Sequence, residues 1–175
     1  MLKNNRFQLI FISVFLFMAE QISSKFEFTN LQCTSTDKTF ADFEFCYIRS
    51  ANRSYKYITL KVNLFKTPFN GILYKRFSGY RPFMFNITVD ACRFLKNPES
   101  NPVGKYFYEF FNSYSNLNHS CPFDHDLFVD KIPTDFVNHR VTKILPFPEG
   151  DYQLETHWMA YEIDRAVVKI YYTIS

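Results

Sequence analysis

Residues 55–66 read YKYITLKVNLFK, and their alternation decides the fold class. Ile58, Leu60, Val62 and Leu64 fall on one side of an extended chain, with Tyr57, Thr59, Lys61 and Asn63 on the other. A period of two residues with one apolar side is the pattern of a half-buried antiparallel strand. It recurs in TFADFEFCYIRS (39–50), where strict alternation puts Phe43, Phe45 and Tyr47 on one face and Asp42, Glu44 and Cys46 on the other. In PFMFNITVDAC (82–92), Phe83, Phe85, Ile87 and Val89 oppose Met84, Asn86, Thr88 and Asp90. Near the C-terminus, Tyr152, Leu154, Thr156 and Trp158 share a face, as do Val168, Ile170, Tyr172 and Ile174. Asp164–Arg165 is the expected turn between these last two strands.

The composition suits such strands. The 22 Phe and 12 Tyr far outnumber the 4 Gly, and aromatic side chains favour a pleated, half-buried surface. The expectation is an all-β two-sheet sandwich of roughly seven to nine strands.

One segment breaks the period. In NPESNPVGKYFYEFFNSYSNLN (97–118), Asn101 is placed to cap a helix and Pro102 to occupy its first position. Val103, Phe107, Phe110, Phe111 and Tyr114 then recur at helical spacing, so an amphipathic helix is expected over about residues 102–115. Gly104 is a mild weakness in it.

The N-terminal stretch MLKNNRFQLIFISVFLFMAEQISSKF has the order of a secretory signal peptide: Lys3 and Arg6, an apolar run from Phe7 to Ala19, then Ser23 and Ser24. The run of about 13 residues is shorter than the roughly 20 that span a bilayer. Residues 1–24 are therefore expected to be removed, leaving residues 25–175 as one secreted domain with no permanent membrane span. The net charge of +3 is scattered along the chain, which argues against nucleic acid as a partner.

Four cysteines, Cys33, Cys46, Cys92 and Cys121, sit in the expected mature chain. In an oxidising compartment they read as two disulfides, with three pairings open. Cys33–Cys46 with Cys92–Cys121 is the favoured pairing: the first staples neighbouring strands, the second closes the helical excursion. Asn52, Asn86 and Asn118 each begin a glycosylation sequon.

The stretch NHSCPFDHD (118–126) is the one candidate reactive centre. His119, Cys121 and His125, with Asp124 or Asp126, have the residue types of a zinc site, or of a thiol nucleophile beside a base. Both need a free thiolate, and disulfide pairing removes it. His139 and His157 are the other histidines, and no G-x-S-x-G or H-E-x-x-H motif occurs. No catalytic residue, metal site or cofactor is expected. The stretch reads instead as a sequon, a disulfide end and an Asp-supported turn into the next strand.

Three stretches together, FNITVDACRFLKNP (85–98), CPFDHDLFVDKIP (121–133) and LPFPEGDYQLETHW (145–158), resemble a large insect family of secreted proteins of unknown function. That family is related to the CheB proteins of gustatory hairs and falls within the ML superfamily of MD-2-related lipid-recognition proteins. The resemblance covers nearly all of the mature chain. It implies an immunoglobulin-like sandwich whose sheets splay to admit an apolar ligand, and disulfides that join sequence neighbours. It also implies a lipid, sterol or long hydrocarbon as ligand and, through the CheB relatives, a place in chemosensory or pheromone perception. The chain departs from the family between Pro68 and Tyr74, where it has only FNGIL. That shortening puts one strand in question.

The functional expectation is a secreted binding protein for an apolar ligand, with a cell-surface receptor as a further partner. Its ligand is expected to touch Phe43, Phe45, Leu60, Val62, Phe85, Ile87, Phe107, Phe111, Leu154 and Trp158. The alternative is an extracellular interaction module with a solid core.

Overall fold

The structure, a computed structural model, describes residues 24–52, 55–64, 69–121, 125–160 and 163–175. The expected signal peptide therefore lies outside the described residues but for Ser24, as does Asp124 of the candidate centre.

Among the described residues, eight strands form two antiparallel sheets. They are β1 (Phe26–Ser35), β2 (Ala41–Ser50), β3 (Lys56–Leu64), β4 (Phe69–Arg76), β5 (Tyr80–Val89), β6 (Leu127–Pro133), β7 (Gly150–Ala160) and β8 (Ile163–Ile174). The large sheet runs β1-β8-β7-β4-β5 and the small one β2-β3-β6. This is the expected all-β sandwich. FNGIL, despite its brevity, belongs to a complete strand: β4 pairs with β7 on one side and β5 on the other.

Faces follow the alternation along most strands, and in β5 they do so across a register shift opposite Ile72 and Tyr74, because its two extra residues preserve the parity. Phe83, Phe85, Ile87 and Val89 turn inward from β5, while Met84, Asn86 and Thr88 are exposed. Val168, Tyr172 and Ile174 are buried from β8, and Tyr152 from β7. Tyr152 stacks on Tyr172 with ring centroids 5.3 Å apart, and Phe26 packs against Tyr172 at 4.9 Å. Such offset and edge contacts add to what burial alone contributes.

A β-bulge corrects the expectation for β2. Phe43 pairs with Val62, but Phe45 pairs with Lys61 and Cys46 with Leu60. Glu44 is the extra residue, and one extra residue reverses the parity of everything after it. Phe45 and Tyr47 therefore lie on the outer face of the small sheet, where their rings meet at 5.9 Å. Cys46 turns inward, which lets it reach Cys33 in the other sheet.

The last hairpin also differs. Ala160 pairs with Ile163 and Met159 with Asp164, so Asp164 and Arg165 belong to β8. The connection falls instead on residues 161–162, outside the described residues.

Two helical segments join the sheets. The first bridges β5 and β6. It holds α1 (Ala91–Lys96), a 3-10 turn (Pro98–Ser100), α2 (Pro102–Tyr108) and a second 3-10 turn (Asn112–Tyr114). Asp90 caps α1 by accepting from Arg93 N at 2.9 Å, so Asp-Ala-Cys starts a helix rather than closing the strand. Asn101 caps α2 by accepting from Gly104 N at 2.8 Å, with Pro102 in the first turn as expected. The helix is shorter than the expected span to residue 115, because Phe110 and Phe111 bond back only three residues, to Phe107 and Tyr108. These tighter bonds turn the adjacent Phe110 and Phe111 inward.

The second segment, between β6 and β7, was not foreseen. It comprises α3 (Thr134–His139) and a π-type turn (Arg140–Ile144). Thr134 donates its hydroxyl to Lys56 O at 2.8 Å, and Asn138 Oδ1 accepts from Phe26 N at 2.7 Å. These bonds seat α3 over the ends of β1 and β3.

Disulfides join Cys33 to Cys46 and Cys92 to Cys121, with Cα–Cα separations of 6.3 and 5.5 Å. The first ties β1 to β2 across the sheets. The second closes the α1–α2 excursion on itself. None of the helices among the described residues is long and apolar enough to cross a membrane.

Candidate functional site: an apolar cavity between the sheets

The two sheets touch along β1 and β2. On the opposite side, β5 and β6 leave a gap that the α1–α2 excursion fills. Filling it with short helices rather than a ninth strand leaves space inside, in two lobes.

The first lobe has a volume of about 110 Å³. Leu73 of β4, Phe85, Ile87 and Val89 of β5, Phe94 and Leu95 of α1, and Leu127 of β6 form its walls. The second is about 120 Å³ and lies toward α3, walled by Phe26, Phe28, Leu60, Val129, Ile132, Val137, Val141, Phe147 and Tyr172, among others. Phe107, Phe111, Leu117, Leu154, Thr156 and Trp158 line both. The lobes are therefore neighbours divided by one layer of side chains, supplied half by the excursion and half by β7.

The lining carries almost no hydrogen-bonding capacity. Thr156 spends its hydroxyl within the wall, donating to Val168 O at 3.3 Å and accepting from Trp158 Nε1 at 3.2 Å. Behind the lining, Tyr106 donates to Arg140 O at 3.3 Å, and burial pushes its hydroxyl up to about 12. Tyr152 donates to Pro148 O, and burial again pushes the hydroxyl up to about 12. Burial raises Tyr172 further still. An enclosed apolar void near 150 Å³ takes a small hydrocarbon; each lobe is somewhat smaller, is open in part to the surface, and has the same apolar chemistry.

Of the ten expected contact residues, seven line the lobes: Leu60, Phe85, Ile87, Phe107, Phe111, Leu154 and Trp158. Val62 is buried in a small cluster with Ala41, Leu127 and Ala166. Phe43 packs beside that cluster, while Phe45 is on the outer face through the bulge. Leu73, Val89, Leu117 and Leu127 were missed. Val89 shares the face of Phe85 and Ile87 and was within reach of the alternation; Leu73 lies in the FNGIL stretch whose strand was in question.

Polar chemistry sits elsewhere. On the outer face of the large sheet, His157 bridges Glu155 Oε1 and Asp164 Oδ2, each at 2.9 Å, and Lys169 meets Glu155 at 3.1 Å. Within the former candidate centre, the rings of His119 and His125 lie 4.7 Å apart. Cys121 is committed to its disulfide, and there is no free cysteine among the described residues. No group of three or more His, Cys, Asp or Glu among them is placed to hold a metal ion. Asn52, Asn86 and Asn118 are all exposed.

Fold and cavity thus define the class: a disulfide-linked β-sandwich with a divided apolar interior. A family described as protein of unknown function (DUF1091) matches residues 69–154, from the start of β4 to the middle of β7. That match takes in the whole excursion and, of the β7 wall, Leu154. No curated protein matches the sequence.

Proposed function

We propose that this protein is a secreted binding protein that holds an apolar ligand, a lipid or long hydrocarbon, between its sheets. The observation that carries the reading is the pair of adjoining lobes lined almost wholly by apolar side chains. Apolar surface removed from water contributes roughly 25 cal/mol per Å², and the lining is almost wholly apolar, so a hydrocarbon finds few polar groups there to leave unpaired. A chain longer than one lobe must shift the dividing layer. Phe107 and Phe111 are the movable half of it, because they ride on the excursion rather than on a sheet. The CheB resemblance is what supports a role for such a ligand in chemosensory or pheromone perception.

Native mass spectrometry of the glycosylated, disulfide-intact protein, with organic extraction of the same sample, tests this. Bound lipid or hydrocarbon, or saturable uptake of N-phenyl-1-naphthylamine, supports it. Failure of both sinks it.

A second reading, an interaction module acting through its surface, has one observation in its favour. Phe45 and Tyr47 on the outer face of the small sheet are joined by Tyr57 of β3, and Arg49 lies over the Tyr47 ring at 4.8 Å. Aromatic and Arg side chains are enriched in protein interfaces. A receptor whose binding is lost in Tyr47→Ala and is indifferent to lipid favours this second reading.

A further inference from the structure

We propose that the end of the sandwich formed by the β4–β5 hairpin and the strap Val141–Phe147 docks on an anionic lipid surface, where the second lobe exchanges its apolar occupant. The docking half stands on its own observations; the exchange half rests on the binding function proposed above.

The strap is two-faced. Val141 and Phe147 are buried and wall the second lobe. Between them, Ile144 and Leu145 are 55% and 39% exposed. The segment that closes the cavity thus also presents apolar side chains to the outside.

The hairpin lies at the same end. Lys75 pairs with Tyr152 near the start of β7, so the hairpin tip projects past Gly150. Phe77 on that tip is 63% exposed, and Tyr80 is exposed beside it. The hairpin is tied to the chain just past the strap: Lys75 Nζ donates to Glu149 O at 2.9 Å, and Arg76 lies 3.5 Å from Asp151 at the start of β7. Gly150 makes the approach feasible, since a Cβ there would fall 2.9 Å from Lys75 Cε.

Charge selects the partner. Asp151 is taken by Arg76. Lys75, Arg81 and Lys143 make no ion pair among the described residues; Glu27, in the same cross-strand row as Asp151, is paired with Lys56, and Glu149 adds one more carboxylate near this end. Apolar side chains on two narrow projections, flanked by cations, suit insertion at an anionic headgroup layer. A protein partner would more naturally meet a broad continuous patch.

The test uses the disulfide-intact mature protein and vesicles of phosphatidylcholine, alone or mixed with phosphatidylglycerol. Sedimentation should show roughly tenfold tighter binding to the anionic vesicles, weakening as salt is raised. The triple variant Phe77→Ser, Ile144→Ser, Leu145→Ser should lose that binding by roughly tenfold or more, with an unchanged melting temperature because these side chains are exposed. It should still take up N-phenyl-1-naphthylamine from solution. Lys75→Gln, Arg81→Gln, Lys143→Gln should abolish the preference for anionic vesicles. Equal binding to both vesicles, undiminished binding by the apolar triple variant, or capture only by a protein in lipid-free buffer overturns the docking surface. Vesicle binding without probe uptake overturns the cavity reading instead and leaves the docking surface standing.

Discussion

Glu109 and Arg140 meet at 2.7 Å, tying the C-terminal end of α2 to the π-type turn after α3. These residues belong to the two segments inserted between strands, so the contact latches one wall of the cavity to the other. Arg140 is 18% exposed and Glu109 35%, so the pair is partly shielded from solvent. The Arg140 guanidinium also lies over the rings of Phe110 and Phe136, at 5.7 and 5.2 Å. Removing the carboxylate alone, in Glu109→Gln, should cost about 0.5–1 kcal/mol. Removing the guanidinium in Arg140→Ala should cost about 1–3 kcal/mol, because the ring contacts go with it. Both should speed uptake and release of a hydrophobic probe in stopped flow. Unchanged exchange rates with lowered stability would show the pair to be structural only.

The Cys92–Cys121 disulfide closes 29 residues of sequence that contain the whole excursion, whereas Cys33–Cys46 closes 13. Loop-closure entropy predicts losses of about 3.5 and about 3 kcal/mol in the paired Cys→Ser variants. These nearly equal losses should have unequal consequences. Only Cys92→Ser, Cys121→Ser frees the excursion that carries Phe107 and Phe111, so only it should raise the dissociation rate of a bound probe. Denaturant titration gives the first quantity, and fluorescence competition the second.

How much of this was legible depended on local regularity. The faces of residues 152–158 and 168–174 read off directly, because an unbroken strand has a period of two whatever it packs against; those of residues 83–89 survive a register shift because its two extra residues preserve the parity. Phe45 and Tyr47 misread because a bulge is invisible in alternation: Glu44 looks like any outward residue, and the need to aim Cys46 at Cys33 is a tertiary demand. The terminal turn misread because Asp164–Arg165 has turn composition, yet the pairing with β7 continues past it to Ile163. Helices α1 and α3 are six residues each, too short for a helical period to register, and their seats on β-strand ends come from the fold. The apolar lining was partly legible as inward faces. That it encloses space rather than filling it was not, because volume depends on how far the excursion holds β5 from β6.

Three tyrosines set the alkaline limit. Burial raises Tyr106 and Tyr152 to about 12, and Tyr172 is raised more. An unfolded tyrosine titrates near 10. Above that pH the unfolded chain releases protons that the folded chain retains, so stability falls as pH rises. The contribution is fully present below about pH 10 and declines above it, by at most about 1.4 kcal/mol per pH unit for the fully buried Tyr172 and by less for the partly solvated Tyr106 and Tyr152. Urea midpoints at pH 9, 10 and 11 should show a flat response and then a steep fall. Tyr106→Phe should make that fall shallower, whereas an identical slope in the variant would mean that Tyr106 titrates normally in the folded protein.

Leu154 lines both lobes from a fixed position on β7, which makes it the place to separate a binding cavity from loose packing. Enlarging a side chain in a filled core costs typically 1–3 kcal/mol, because neighbours must leave their rotamers. Enlarging one beside empty space instead adds contacts and gains about 0.5–2 kcal/mol. Leu154→Phe should therefore raise the urea midpoint of the ligand-free protein while reducing probe uptake several-fold. Thr156→Val, also on the dividing layer, removes the hydroxyl that the Trp158 indole donates to and should cost about 0.5–1.5 kcal/mol for that bond. Its volume is nearly that of threonine, so uptake should persist. If Leu154→Phe destabilises the protein and leaves uptake intact, the ligand does not lie between the sheets.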